Sequence, residues 1–287
     1  MSTLSNAFRV YGFALSAGLR AVAAGHVVEG VKLLLSPVGY WRFLPNAIVL
    51  TEFERMPAGA RILDASSPKL LSLLLSRETS GELYATDLED EKIFSRWQLL
   101  ARALGLKNYK VEYQDATGTH YPDEHFDLIY SISVIEHIPG RGDAAALAEF
   151  RRILKPGGTI VVEVPYRHVG EERVMRYDSK GAPLSEPRFY ERLYDAAGLR
   201  ERLENIPGLR VTRRVILGEH LPLDPWIATE RLPRALRIAV LPFEPLLAAA
   251  NYWAREGDGR GGGDNDNGGR PLAALLVYKK EGANGRD

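Results

Sequence analysis

Three short apolar runs in this chain each end in an aspartate: Asp64 after Ala60-Arg61-Ile62-Leu63, Asp87 after Leu83-Tyr84-Ala85-Thr86, and Asp115 after Val111-Glu112-Tyr113-Gln114. Alternating strand and helix segments build a parallel sheet whose carboxyl edge receives a nucleotide-like ligand. Acids at successive strand tips are therefore hydrogen-bond acceptors aimed at one ligand. Two later runs end near groups able to move a proton, His137 after the fourth and Tyr166 and His168 after the fifth, while Glu136 reads as a solvated or locally paired carboxylate.

The elements that must position these residues follow from periodicity. Arg61 to Asp64 reads as a first strand, and Pro68 suits the first turn of a helix over Lys69 to Arg77. A second strand, Glu82 to Thr86, leads into a helix over Glu89 to Leu104, with Gly105 as terminator. A third strand ends at Asp115, and the fourth runs from Phe126 to Ser131. Asp143 reads as the cap of a helix over Ala144 to Leu154, which Lys155-Pro156-Gly157-Gly158 stops before a fifth strand, Thr159 to Val164. Arg188 to Leu203 reads as helix, Leu209 to Leu217 as a sixth strand, and Pro271 to Lys279 as a last, antiparallel edge strand.

Composition narrows the class. Among 287 residues, 37 Lys and Arg balance 37 Asp and Glu, so no global positive field favours nucleic acid. The absence of cysteine removes disulfides, thiolate metal sites and thiol nucleophiles. Ala235 to Trp253 is interrupted by Arg237, Pro242, Glu244 and Pro245 and falls short of the roughly 20 apolar residues of a membrane span. A cytoplasmic protein acting on a small molecule is expected, with peripheral membrane contact through the apolar insertion 219–256 as an open reading; oligomeric state is not specified. The glycine-rich segment 257–270 reads as a mobile surface loop. His120, His125 and His220 have no partners at ligand spacing, so no metal site is expected.

Taken in order, Ile62-Leu63-Asp64-Ala65-Ser66-Ser67, Tyr84-Ala85-Thr86-Asp87, Gln114-Asp115-Ala116-Thr117, Phe126 to Ile138 and Leu154-Lys155-Pro156-Gly157-Gly158 resemble the class I S-adenosylmethionine-dependent methyltransferases, nearest their small-molecule, type 11-like branch. The resemblance implies a Rossmann-like, doubly wound, seven-stranded, mostly parallel α/β sheet with an antiparallel last strand. Residues 1–58 would form a helical lead-in and residues 59–287 the methyltransferase domain. It also implies S-adenosylmethionine as cofactor. Asp87, with Leu88 beside it, would take the ribose hydroxyls, and Asp115 the adenine amino group, with Ala116 leaving room for the ring. Asp64, Ala65 and Ser66 would stand near the methionine end, and Ser131 and Ile132 would line it through their backbone. Tyr40 would face the sulfonium and Arg42 the methionine carboxylate. His137 is the candidate base, and Tyr166 and His168 the candidate acceptor contacts. Each has a plainer reading: helix capping for Asp87, turn formation for Asp115 and Asp64, local packing for His137.

The chain departs from the family in the first turn, where Ser66, Pro68 and Leu70 occupy the three glycine positions that let backbone approach a ligand. Two functions follow. The first is methyl transfer to a small, partly apolar acceptor, with oxygen as the expected atom. The second is a non-catalytic scaffold or partner subunit with impaired cofactor binding.

Overall fold

The computed structural model describes residues 2–88, 91–177, 182–223, 236, 239–257 and 270–281. Most of the glycine-rich segment and part of the apolar insertion therefore lie outside the described residues. Four parallel strand pairings form the heart of the sheet, joining β1 (Ile62–Ala65), β2 (Leu83–Asp87), β3 (Tyr109–Tyr113), β4 (Phe126–Ile132) and β5 (Leu154–Pro165). Beyond β5 come β10 (Arg270–Lys280), β8 (Leu209–Glu219) and β9 (Tyr252–Glu256), giving the order β3-β2-β1-β4-β5-β10-β8-β9.

The sheet thus has eight strands rather than the seven expected, because Tyr252–Glu256 adds an antiparallel edge to β8. The last strand is antiparallel, as read from sequence, but it is not an edge. It lies between β5 and β8, and its run Pro271 to Tyr278 is buried throughout, as a strand covered on both faces must be.

Strand alternation sorts side chains onto two cores. Ile62, Leu128, Tyr130, Val161, Leu275 and Val277 face α1 (Thr3–Ala23), α3 (Phe43–Phe53), α4 (Leu70–Glu78) and α5 (Glu91–Ala103). Leu63, Ile129, Ile160, Val162, Leu276 and Tyr278 face α6 (Gly142–Ile153) and the short helical turns from Ala196 to Glu204. The period of two along each strand is what makes this a three-layer stack. A second short helix, α2 (Val27–Leu35), packs on α1 through Gly18 and Gly30. A Cβ built on Gly30 would lie 2.6 Å from the Gly18 carbonyl oxygen.

Two readings change. Arg188 to Leu203 is not one helix: β6 (Glu171–Tyr177) and β7 (Pro183–Leu193) form a separate antiparallel ribbon, and helix begins only at Ala196. Phe189, Tyr190 and Leu193 mimic helical spacing, but these strands pair by backbone and leave β6 exposed along its whole length. Asp143 is also not the cap of α6. Arg141 stands at that position, and the Asp143 carboxylate is buried against Arg192, Tyr194 and Arg202.

Candidate functional site

The tips of β3, β2 and β1 are neighbours, so Asp115, Asp87 and Asp64 lie along one edge, but their side chains do different work. Asp64 is fully buried. One oxygen accepts from Ser67 N at 2.8 Å and lies 3.4 Å from Lys69 Nζ; the other has no hydrogen-bond partner among the described residues. Burial pushes its pKa up, against the Lys69 charge and hydrogen bonds that pull it down. Asp64 and the equally buried Ala65 form the interior of the turn.

Asp87 keeps a carboxylate 20 % exposed at the end of β2. One oxygen accepts from Leu88 N at 2.9 Å, and the other lies 3.6 Å from Lys69 Nζ. Leu88 itself is 51 % exposed, an apolar side chain left at the same edge. Asp115 is exposed, and one oxygen closes its own turn by accepting from Thr117 N and Oγ1 at 2.8 and 2.7 Å. Ala116 beside it is buried and small.

The glycine-free turn is held by side chains. Ser66 has φ +62°, the left-handed conformation that glycine adopts without cost. Ser67 Oγ accepts from Ile132 N at 2.8 Å, and Ser131 Oγ donates to the Ala65 carbonyl at 3.2 Å, tying the tips of β1 and β4 together. Ser131 and Ile132 are buried by these links.

A separate cleft of about 490 Å³ opens over β4, β5, β10 and β8, next to the β1 tip. Its polar side includes Glu163, Glu136, His137 and Arg42, with Arg167, Arg173, Glu191 and Arg270 around them. Glu163, at the end of β5, accepts from Ser133 Oγ at 2.8 Å and is only 5 % exposed. Burial drives its pKa up to about 7, although the Ser133 bond and the Arg42 charge oppose this. Glu136 is not a solvated carboxylate: it is 1 % exposed, with one oxygen unpartnered among the described residues, and burial first and the neighbouring Glu163 second push its pKa well above the usual carboxylate range. Ser133, with φ +53°, holds the chain strained between the two acids.

His137 Nδ1 lies 2.7 Å from the Tyr190 carbonyl oxygen. A carbonyl only accepts, so Nδ1 carries a proton, and in the neutral ring Nε2, 3.6 Å from Glu136 Oε1, is the lone-pair nitrogen. Arg42 is accessible within the cleft, and among the described residues its guanidinium makes no hydrogen bond or ion pair. Desolvation lowers its pKa, against the charges of Glu163, Glu136 and Glu244. Trp41, Tyr190 and Tyr252 supply aromatic walls.

The other expected contacts sit elsewhere. Tyr40 is fully buried, donating from Oη to Glu219 at 3.1 Å, accepting from Asn251 Nδ2 at 2.7 Å and packing its ring on Tyr252. It supports the cleft wall from behind. Tyr166 is half-buried and His168 exposed, and neither is among the residues lining the cleft; Arg167, between them, is. Sequence reasoning missed Glu163 and Lys69. The signal for Glu163 was a lone acid inside the valine-rich run Ile160 to Val164.

Residues 65–162 match the family model of a methyltransferase domain. A ubiquinone/menaquinone biosynthesis C-methyltransferase of Azotobacter vinelandii is 33 % identical over 115 residues, 39 % of this chain and 44 % of that protein. Phosphoethanolamine N-methyltransferase 1 of Arabidopsis thaliana is 42 % identical over 64 residues, 22 % of this chain and 13 % of that protein. The chain spans less than half the length of these curated relatives. Among solved structures, the [4+2]-cyclase SpnF superposes with a TM-score of 0.53 at 18 % identity, covering 84 % of this chain and 83 % of the cyclase. At that identity the likeness is one of fold.

Proposed function

We propose, from the premise that this chain carries a class I S-adenosylmethionine-dependent methyltransferase domain, that it transfers a methyl group to a small molecule seated in the cleft over β4 and β5, at an acceptor oxygen. The observation that carries this reading is the adjacency of two features. One is a carboxylate edge at the tips of β2 and β3; the other is a partly apolar cleft into which two proton-accepting groups, His137 and Glu163, project.

The residues fit an adenosyl group by their chemistry. Asp87 offers a part-exposed carboxylate for a vicinal diol, Leu88 an exposed apolar contact and Ala116 a small neighbour. Asp115 keeps a second oxygen beyond the one its turn uses. When bound, S-adenosylmethionine supplies a methyl group on a sulfonium, open to in-line displacement. The chain's own residues bind and orient the acceptor, exclude water and receive its proton.

His137 is the candidate base, with Nε2 available beside the Glu136 carboxyl. Glu163, with a pKa near neutrality, is the second acceptor of a proton in the same cleft. Arg42 is suited to an anionic group, the methionine carboxylate being the expectation. The aromatic walls suit an acceptor with apolar surface.

Calorimetric titration with S-adenosylmethionine and S-adenosylhomocysteine tests the reading. Binding that Asp87→Ala weakens at least about tenfold is the expected result, the loss of a hydrogen bond to a charged group. One observation favours the non-catalytic alternative: side chains, not glycines, fill the first turn. Folded protein that takes up neither compound would establish that alternative.

A further inference from the structure

Lys69 directly precedes α4, where a lysine would ordinarily reach solvent, yet its side chain is 2 % exposed. Its ammonium donates to the carbonyl oxygens of Ser67 and Thr86, both at 2.7 Å. The first carbonyl belongs to the turn after β1, the second to the residue immediately before Asp87. Ser66 N donates to the same Thr86 carbonyl at 3.1 Å, so turn and lysine converge on the peptide that carries Asp87. An ammonium has three protons. With two given to carbonyls, the third faces the carboxylates of Asp64 at 3.4 Å and Asp87 at 3.6 Å.

A buried lysine is costly unless its charge is compensated. An apolar side chain would fill the same space at lower cost, so packing alone does not account for an amine here. Three features coincide in this one turn: the missing glycines, the left-handed Ser66, and a buried cation bridging the tips of β1 and β2. We infer that Lys69 is a positioning residue of the adenosyl site, stapling the β1 turn to the β2 tip in place of a glycine-rich loop and holding the Asp87 carboxylate for the two ribose hydroxyls. This rests on the cofactor reading above.

The proposal concerns how the diol is recognised, so the test compares S-adenosylhomocysteine with its 2′,3′-dideoxy analogue by calorimetry. Wild-type protein is expected to prefer the diol by about tenfold or more, the scale of a charged hydrogen bond. Lys69→Met is expected to reduce that preference to about threefold or less, as Asp87→Asn does. Because Lys69→Met leaves the Asp64 carboxylate buried without its cation, the paired variant Asp64→Asn/Lys69→Met removes both charges and keeps the turn neutral. It is expected to fold and to show the same loss of preference.

A merely structural lysine would weaken both ligands equally and leave their ratio unchanged. An unchanged ratio in either folded variant overturns this proposal while leaving the cofactor reading intact. Failure of wild-type protein to bind S-adenosylhomocysteine overturns both.

Discussion

Glu163→Gln removes a carboxyl that folding drives towards its neutral form. The side chain is 5 % exposed, and burial lifts its pKa from 4.5 to about 7 against the Ser133 hydrogen bond and the Arg42 charge. A carboxyl whose pKa is higher folded than unfolded contributes stability that is complete below the unfolded value and is lost as pH rises through the folded one. Between 4.5 and about 7, at about 1.36 kcal/mol per pH unit, the penalty carried by wild-type protein at alkaline pH is on the order of 3 kcal/mol. Glutamine keeps the shape and an oxygen for Ser133 without that penalty. It also removes the like charge beside Glu136, which acts in the same direction. Urea unfolding of both proteins at about pH 5.5 and about pH 8.5 measures the effect. At the lower pH, one unit above the unfolded value, the variant should already be more stable by about 1.4 kcal/mol, rising to about 3 kcal/mol at the higher. The same difference at both pH values, or a less stable variant at pH 8.5, would refute the electrostatic account of the cleft.

Asp143→Ala should cost about 3–5 kcal/mol in chemical unfolding, since it strips the buried Arg192 and the neighbouring Arg202 of a shared carboxylate. Burial alone would raise the Asp143 pKa, but hydrogen bonds from Arg202 and Tyr194 outweigh it and hold it low. Its contribution is therefore present at neutral pH and lost on acidification through the depressed value, so the variant's deficit should shrink in acid. Gly30→Ala places a methyl 2.6 Å from the Gly18 carbonyl and 2.5 Å from Val22 Cγ2. It should lower the melting temperature through an overpacking cost of about 1–3 kcal/mol, and an unchanged melting temperature would mean that α1 and α2 separate freely.

The sheet was legible because its strands are short, apolar and bounded by turn residues: β1, β2, β4 and β10 fall within a residue or two of their expected limits. What sequence could not supply was partnership across distance. Asp143 precedes a helical run and reads as a cap; only folding brings in Arg192 and Arg202, 49 and 59 residues later. Lys69 reads as surface because lysine usually is, and its burial follows from two carbonyls and two acids that meet only when β1 and β2 pair. The β6–β7 ribbon was hidden because a strand pair without a buried face carries no alternation of polar and apolar residues. Of the residues named from spacing and resemblance, Arg42 and His137 line the cleft and Asp87 stands at the end of β2. Glu163 went unnoticed among valines, although a solitary charge in a core strand is itself a signal.

The ribbon and the upstream turn have a consequence for how this protein's selectivity is built. Trp41 and Arg42 come from before the first strand, Arg173, Tyr190 and Glu191 from the ribbon, and Tyr252 and Arg270 from the last third of the chain, all outside residues 65–162, which match the methyltransferase-domain model. The carboxylate edge of Asp87 and Asp115 lies within residues 65–162, as do Ser133, Glu136 and His137 of the cleft, whereas its remaining walls are assembled from segments outside that match. Swapping the ribbon or the lead-in between such proteins should therefore exchange which molecules enter, and leave the donor's berth where it was.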